Sequence, residues 1–464
     1  MTHLSSESIE TLKGALRGTV LQAQDAGYDT ARQIWNAMID RRPALIVRCQ
    51  GSADVRQAVS FARTHGLTLA VRGGGHNIAG SAICEDGLVI DLSPMKSVRV
   101  EPSTRRAYVE PGATLGDFDH EAQAFALATP LGINSTTGVA GLTLGGGFGW
   151  LSRRFGMTVD NLVAADVVTA DGNLLHVSAK ANEDLFWAIR GGGGNFGVVT
   201  MFEFEVHPLG PNVYGGLVVL PFADAKEALA RYREASATMP EDLTVWSVSR
   251  LAPPLPFLPP EVHGKPIIAF AICYTGPLEN GPAAVEVVRR FGKPYGEHLG
   301  PMPYVAWQKM FDPLLTPGAR NYWKSHNLAE LPDGLIDTLT AAIDTLPSPQ
   351  CEIFFGQIGG ATQRVAPDAT AYPNRDALYV MNVHGRWDDA ADDARCIAWA
   401  RDFFEASAPF ALGSVYVNFL TEDEQARVEA AYGPNMQRLI AVKTRYDPDN
   451  LFCRNQNIRP TPQT

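Results

Sequence analysis

Two glycine-rich segments constrain this chain more than any other feature. In the first, Gly73, Gly74 and Gly75 stand directly before His76, after an apolar run that predicts a strand. The second, residues 132–149, has seven glycines among 18 residues, interleaved with hydroxyl side chains. Glycine has no Cβ, so such backbone turns sharply and approaches a ligand closely. Its exposed N–H groups also suit an anion.

The surroundings of His76 leave two interpretations. Residues 44–50 predict a strand, Ser52 is typical of the N-cap of a helix that ends at Gly66, and residues 67–71 predict a second strand. Such a β-α-β unit places ligand-facing residues just past a strand end. His76 is then either an imidazole nucleophile or a surface histidine in a turn, and the segment alone does not separate the two.

Composition excludes several classes of protein. A chain of 464 residues predicts two or three domains. The net charge of −11 argues against a nucleic-acid partner. No apolar run is long enough to span a membrane, and no secretory signal is visible. Six scattered cysteines fit free thiols, so we expect a cytoplasmic protein.

Familiar catalytic motifs are missing from the sequence. There is no HExxH metal motif, no GxSxG elbow and no Walker A loop, and no metal site is predicted. Gly192, Gly194 and Gly197 match GxGxxG, but they follow a predicted helix and open a strand, so we interpret the match as chance. Two glycine loops without a phosphate-transfer lysine suit a large diphosphate cofactor.

The pattern changes near Pro208. Residues 208–407 carry longer predicted helices over 224–237 and 391–406, and strands over 266–274 and 379–384. Residues 408–464 return to short motifs. We therefore predict one domain from residues 1–207 completed by 408–464, and a second domain from 208–407.

Several segments together resemble one family, the berberine-bridge-enzyme-like branch of the FAD-linked oxidases of the vanillyl-alcohol oxidase and p-cresol methylhydroxylase (PCMH) class. The resemblance covers nearly the whole chain. It is carried by residues 72–77, 138–149, 184–197, 416–419 and 446–458.

The resemblance implies an α+β fold: a PCMH-type FAD-binding domain of two α/β subdomains, and a substrate domain with an antiparallel sheet backed by helices. It also implies FAD bound covalently, with His76 bonded to the flavin 8α-methyl group. The cofactor-binding residues it implies are Arg72, Gly73, Gly74, Gly75, His76, Asn77, Gly80, Asn134, Thr136, Thr137, Gly138, Gly141, Gly146, Gly147, Gly149, Val199, Asn455 and Asn457.

Asn134 departs from the pattern of many relatives. They carry a cysteine there that forms a second bond to the flavin, and asparagine cannot form this thioether. Cys84 lies near His76 in sequence but does not match the site, and we expect a buried structural thiol. We predict attachment through His76 only, without a 6-S-cysteinyl bond.

The resemblance also points to residues for catalysis. Tyr416 and Asn418 stand two apart on a predicted strand, so both face one side, and Tyr416 is a candidate base or hydrogen-bond partner. Lys324 would lower the pKa of a nearby tyrosine. Glu352 is a third candidate, and Thr137 occupies the place that controls oxygen access. The alternatives are a core tyrosine, a solvated lysine, an edge-strand glutamate and a loop-capping threonine.

We therefore expect an FAD-dependent oxidase that moves hydride from a C–H beside oxygen or nitrogen to flavin N5, with O2 reoxidising the flavin to give H2O2. The alternatives are an oxygenating enzyme of secondary metabolism and a non-enzymatic flavin-binding protein. The expected partners are a small-molecule substrate and O2, in a monomer or small homo-oligomer.

Overall fold

A computed structural model describes residues 4–462. Its first sheet contains the strand that leads to His76. Strands Leu45–Arg48 and Leu69–Arg72 both pair in parallel with Leu88–Asp91, which lies between them, and Thr19–Leu21 adds an antiparallel edge. Helix Ser52–Thr64 connects the two outer parallel strands and buries Val55, Ala58, Val59 and Ala62 against them. The predicted β-α-β unit is present, with one strand inserted.

A second sheet shares an apolar core with Val139 and Ala140 of the other glycine-rich segment. Its order is Val98–Glu101, Arg106–Val109, Val198–Glu205, Leu162–Val168 and Leu174–Ser178, and all its pairings are antiparallel. Strands Leu127–Ala128 and His207–Pro208 form a separate small pair. The helices of this region are Ser6–Gly14, Tyr28–Ala31, Leu115–Gln123, Val139–Leu144, Ser152–Phe155 and Glu183–Ile189.

A large sheet of seven antiparallel strands follows in the chain. Its spatial order is Gly296–Pro303, Asn212–Pro221, Pro266–Tyr274, Leu243–Leu251, Glu352–Gln357, Tyr379–Trp387 and Arg320–Leu328. Helices Ala225–Ser236, Gly281–Arg289, Asp333–Ile343 and Asp393–Ser407 bury their apolar residues against one face of it. Because successive side chains of a strand point to opposite faces, every second residue is left to face the other way, toward the two smaller sheets.

The C-terminal segment returns to the second sheet. Helices Val428–Tyr432 and Met436–Tyr446 bury Val428, Tyr432, Leu439 and Val442 in the same apolar core as Phe202 and Phe204. The fully buried Lys443 holds the end of the chain in place, since its Nζ lies 2.6 Å from Asp447 Oδ2 and donates to the carbonyls of Asn195 and Phe452.

Most predicted elements are found, and the α+β class is confirmed. Strand Pro266–Tyr274 has the predicted bounds, and Thr114 and Asp117 form a capping box before helix Leu115–Gln123. Ser52 is not an N-cap, because Gly51 takes that position and Ser52 is the first helical residue. Over residues 4–462, no helix combines the length and apolar character needed to cross a membrane.

Candidate active site

A cavity of about 370 Å³ lies where the large sheet meets the two smaller ones. One end is lined by the glycine loops and the other by side chains of the large sheet. The wall includes Trp35, Gly73, Gly74, Gly75, His76, Asn77, Asn134, Thr137, Gly138, Gly141, Val199, Arg250, Trp323, Glu352, His384, Tyr416, Asn418 and Asn455. Residues that are distant in sequence, from Gly73 to Asn455, therefore line the same cavity.

The two glycine loops touch each other through their backbones. An ideal Cβ on Gly74 would lie 2.6 Å from the backbone nitrogen and Cα of Gly138, and one on Gly138 would lie 2.6 Å from the nitrogen of Gly74. No side chain fits at either position without moving the backbone of the other loop. These two glycines set the spacing between the loop of His76 and the loop of Asn134.

His76 is half-buried and held on one face by an indole. Its ring stacks on Trp35 with centroids 4.5 Å apart and planes inclined by 22°. Trp35 is fixed by its backbone N–H to the Gly75 carbonyl and by its indole N–H to the Leu315 carbonyl, at 3.0 Å each. Burial lowers the pKa of His76 to about 4, and the positive charge of Arg386 acts in the same direction. The imidazole is thus neutral at physiological pH and keeps a nucleophilic lone pair.

Asn134 is buried beside this histidine. Its Oδ1 accepts from the backbone N–H and the hydroxyl of Thr136, at 2.9 and 2.6 Å. Its Nδ2 has no hydrogen-bond partner among the described residues and lies on the cavity wall. A buried donor without a partner costs free energy unless a ligand accepts from it, so Asn134 indicates an acceptor in the cavity.

Tyr416 and Asn418 lie on the wall, but not on a strand. Residues Val417–Phe419 form a 3₁₀ turn that Tyr416 precedes, so the predicted strand is wrong. The turn brings the two side chains together: Asn418 Nδ2 donates to the Tyr416 hydroxyl at 2.9 Å, and the N–H of Gly147 donates to it at 3.1 Å. The amide of Asn418 also contacts the carbonyls of Gly141 and Leu142. Asn418 therefore holds Tyr416 in place.

The environment of Tyr416 suits a donor rather than a base. Burial raises the pKa of its hydroxyl to about 12, although the two hydrogen bonds it accepts oppose the shift. Its own proton has no acceptor among the residues that the structure describes. Tyr416 therefore stays protonated at neutral pH and can donate to a molecule in the cavity.

Four side chains form a row across the floor of the cavity. In the sheet register Arg250 pairs with Glu352, Glu352 with His384, and His384 with Trp323. Arg250 Nη1 lies 2.6 Å from Glu352 Oε2, and His384 Nδ1 lies 3.5 Å from Glu352 Oε1. Glu352 is on a central strand, so its interpretation as an edge-strand residue is wrong.

The charges of the row follow from its contacts. Burial raises the pKa of Glu352, but the charge of Arg250 and the nearby His384 outweigh burial, and the net pKa lies below its usual range. Burial lowers the pKa of His384, although Glu352 opposes that shift. At neutral pH the row therefore presents a carboxylate, neutralised by Arg250, beside a neutral imidazole.

Lys324 faces away from the cavity. Trp323 precedes it on the strand and points to the cavity, so Lys324 points to the helices on the other face. Its Nζ lies 3.1 Å from Asp423 and 3.3 Å from Glu424, and 5.1 Å from the ring centre of Tyr322. All of these contacts lie on the face away from the cavity. The prediction that Lys324 lowers the pKa of a catalytic tyrosine is therefore not supported.

Other predicted cofactor residues lie behind the wall. The Arg72 guanidinium donates to the Ala31 carbonyl. An ideal Cβ on Gly149 would lie 2.0 Å from the Leu131 carbonyl oxygen, which gives that glycine a packing role. The residues that do not line the cavity are Arg72, Gly80, Thr136, Gly146, Gly147, Gly149 and Asn457. Cys84 is buried, and its sulfur lies 3.7 Å from the carbonyls of Thr68 and Leu88.

One part of the wall was not predicted. Gly194 and Gly197, from the GxGxxG match interpreted as chance, line the cavity together with Gly193. The amide of Asn455 donates to the Gly194 carbonyl at 3.0 Å, which joins the C-terminal segment to this loop. The run of four glycines was the available signal. Trp35, Arg250 and His384 carried none that sequence alone could interpret.

Buried polar atoms without protein partners test whether FAD fits this cavity. Among the described residues of its wall these are Asn134 Nδ2, Trp150 Nε1, Trp323 Nε1, Arg454 Nε, Asn455 Oδ1 and Gln456 Oε1. The set mixes donors and acceptors and lies next to bare glycine backbone, which suits a ligand with phosphate, hydroxyl and ring nitrogen groups. The residues present fit the cofactor.

Comparison with known proteins agrees with this geometry. A family model described as "FAD binding domain" matches residues 43–178, and one described as "Berberine and berberine like" matches residues 415–459. An FAD-linked oxidoreductase of Dictyostelium discoideum is 32% identical over 99% of this chain and 97% of its own. (R)-6-Hydroxynicotine oxidase of Paenarthrobacter nicotinovorans is 28% identical over 96% and 97%.

Solved structures show the same fold. The crystal structure of 6-hydroxy-D-nicotine oxidase from Arthrobacter nicotinovorans aligns with a TM-score of 0.86 and 26% identity, covering 99% of this chain and 100% of that one. BBE-like 1 from Physcomitrella patens aligns with a TM-score of 0.88 and 23% identity, covering 98% and 100%, and this likeness concerns the fold alone.

Proposed function

Because this chain belongs to the berberine-bridge-enzyme-like FAD-linked oxidoreductases, we propose that it is an oxidase whose FAD is bonded covalently to His76 alone. One observation carries the proposal: a neutral imidazole, stacked on Trp35, stands on the cavity wall where two glycine loops meet. Asn134 occupies the position where many relatives carry a second, cysteine tether.

The cofactor would be held by the glycine-lined end. Gly73–Gly75, Gly138 and the loop of Gly193 and Gly194 offer backbone groups close to the cavity, and Asn134 and Asn455 offer unpartnered side-chain atoms. Bound FAD supplies a ring that accepts a hydride from substrate. The glycine loops, Asn134 and Asn455 would hold the cofactor, and the row on the large sheet would contact the substrate.

Glu352 is the residue best placed to take a proton from substrate. It is ionised, faces the cavity, and is held by Arg250 on one side and His384 on the other. A positioned carboxylate that removes an O–H or N–H proton assists hydride loss from the adjacent carbon. Tyr416, which stays protonated, would donate a hydrogen bond from the neighbouring wall.

The walls around this carboxylate indicate a small, largely apolar substrate. Trp246, Trp323, Phe354 and Phe419 line the same end of the cavity, with aliphatic residues of the large sheet between them. Aromatic walls bind flat, apolar molecules, and the few polar groups fix their orientation. We propose oxidation of a C–H beside oxygen or nitrogen on such a molecule.

Thr137 also lies on the wall, where a small side chain leaves room for O2. The test is the reoxidation of dithionite-reduced protein in aerated buffer. The proposal predicts return of the oxidised flavin spectrum with an equimolar amount of H2O2. Failure to reoxidise would point to a dehydrogenase, and reoxidation coupled to oxygen incorporation into product would point to an oxygenating enzyme.

A further inference from the structure

Asn134 is connected to His76 through the hydroxyl of Thr136. Thr136 is exposed and does not line the cavity, yet its Oγ1 lies 3.2 Å from His76 Nε2. A hydroxyl and an imidazole nitrogen can each donate or accept, so the direction of this contact depends on the other partners of Thr136.

Asn134 fixes that direction. The backbone N–H of Thr136 donates to Asn134 Oδ1 at 2.9 Å, and an N–H can only donate, so the atom facing it is the amide oxygen. The same oxygen lies 2.6 Å from Thr136 Oγ1, and as an acceptor it must receive the hydroxyl proton. The Thr136 oxygen is left with lone pairs only, and it must accept from His76.

It follows that Nε2 of the neutral His76 carries the ring proton. The other nitrogen, Nδ1, then carries the lone pair, and it has no hydrogen-bond partner among the residues from 4 to 462. The stack on Trp35 fixes the plane of the ring, and the contact with Thr136 fixes its rotation within that plane. Both the orientation and the tautomer of the imidazole are therefore set before the cofactor binds.

We propose that Asn134 and Thr136 are positioning residues that make Nδ1 of His76 the nitrogen that bonds to the flavin. This inference rests on the proposed covalent attachment. Asn134 stands where many relatives carry the second covalent bond to the flavin. In this chain it selects the nitrogen through which His76 forms the first.

Attachment is a two-electron oxidation of the flavin and histidine taken together. A bond forms between Nδ1 and the carbon of the 8α-methyl group, while one C–H bond of that methyl and the Nε2–H bond break. The two protons and two electrons released are taken up by dioxygen, which becomes hydrogen peroxide. The proton on Nε2 faces the oxygen of Thr136, which is exposed, so this proton exchanges with bulk water and an equivalent proton reaches dioxygen.

The test compares Thr136→Val, Thr136→Ser and Asn134→Ala with the wild type. Each protein is purified with FAD, denatured at fixed times and weighed, and the flavin-bearing nitrogen is identified by NMR on the flavopeptide from ¹⁵N-histidine-labelled protein. Thr136→Val removes the acceptor, so covalent attachment slows by about tenfold, the value of one hydrogen bond to a neutral group. Asn134→Ala frees the hydroxyl to donate to His76, which gives a mixture of linkages.

Thr136→Ser keeps the hydroxyl and restores wild-type attachment through Nδ1. FAD that copurifies with each native variant, whether covalently attached or not, shows that the cavity is folded. The inference is overturned if Thr136→Val attaches FAD as fast as the wild type and through the same nitrogen. That outcome leaves the proposed function intact, whereas a wild-type protein without covalent FAD removes the proposed attachment itself.

Discussion

The imidazole of His76 and the indole of Trp35 are stacked with ring centroids 4.5 Å apart and planes inclined by 22°. Trp35 comes from the N-terminal region and is held by the loops on either side of it, at Gly75 and at Leu315. Through this stack, the loop of Leu315, which precedes strand Arg320–Leu328 of the large sheet, helps to orient a histidine that follows a strand of the first sheet.

Replacing Trp35 by alanine should slow covalent attachment at His76. The stack and its two anchors limit the imidazole to one plane, and an aromatic contact of this kind is equivalent to roughly a tenfold effect at most. Trp35→Phe retains a flat ring and should attach FAD nearly as fast as the wild type. In-gel flavin fluorescence after denaturation, normalised to protein, measures the attached fraction. Equal rates for the alanine and phenylalanine variants would show that the stack with Trp35 does not affect covalent attachment at His76.

Replacing Glu352 by glutamine should slow flavin reduction by substrate by roughly a hundredfold, the range of a lost general base. Covalent FAD should be unchanged, because the substitution leaves the two residues that contact His76, Trp35 and Thr136, in place. Stopped-flow reduction under anaerobic conditions gives the rate.

The matched control for Glu352 is Glu297→Gln, an exposed carboxylate on the edge strand of the same sheet, bonded to Arg289. This variant should reduce at the wild-type rate. An equal reduction rate in Glu352→Gln and the wild type would assign the proton transfer to another group.

Replacing Tyr416 by phenylalanine should lower the reduction rate by roughly tenfold without changing the shape of its pH profile. The reason is that burial raises the pKa of Tyr416 to about 12, so the hydroxyl does not titrate between pH 6 and pH 10. Reduction rates for both proteins across that range provide the measurement. A titration step present in the wild type and lost in the variant would show that Tyr416 ionises and acts as a base.

Asp119 should make folding stability fall as pH rises. Burial raises its pKa to about 7, although Gln308, which donates to it at 3.1 Å, and the charge of Lys309 oppose the shift. The unfolded carboxyl has a pKa near 4. Its stabilising contribution is therefore complete below about pH 4 and is lost as pH rises through about 7, at roughly 1.4 kcal/mol per pH unit.

Asp119→Asn has no proton to lose, so its free energy of unfolding should fall less than that of the wild type between pH 4 and pH 7. Denaturant unfolding at several pH values measures the difference. Parallel pH curves for the two proteins would show that Asp119 titrates normally in the folded chain.

The sequence predicted local features well where the signal itself is local. The β-α-β unit before His76 and the strand Pro266–Tyr274 follow from residue type and spacing, and both are present. The glycine loops were predicted as ligand-facing, and Gly74 and Gly138 lie on the cavity wall. Their backbone contact with each other was not predictable, because it depends on how two sheets are placed.

The row on the large sheet shows what sequence cannot supply. Arg250, Glu352 and His384 are about a hundred and about thirty residues apart in sequence, and only strand register makes them neighbours. Alternation along a strand separates Trp323 from Lys324, but it does not say which of the two faces the cavity. At Tyr416 a strand was predicted, but the structure has a 3₁₀ turn whose side chains contact the second glycine loop at Gly147 and Gly141.

The mass of the denatured protein, read together with its absorption spectrum, shows whether FAD is bonded covalently to His76. We expect the wild type and Cys84→Ala to carry one FAD each through denaturation, and His76→Ala to release all of its flavin. A wild-type chain of unmodified mass, or an adduct that persists in His76→Ala, would contradict the account.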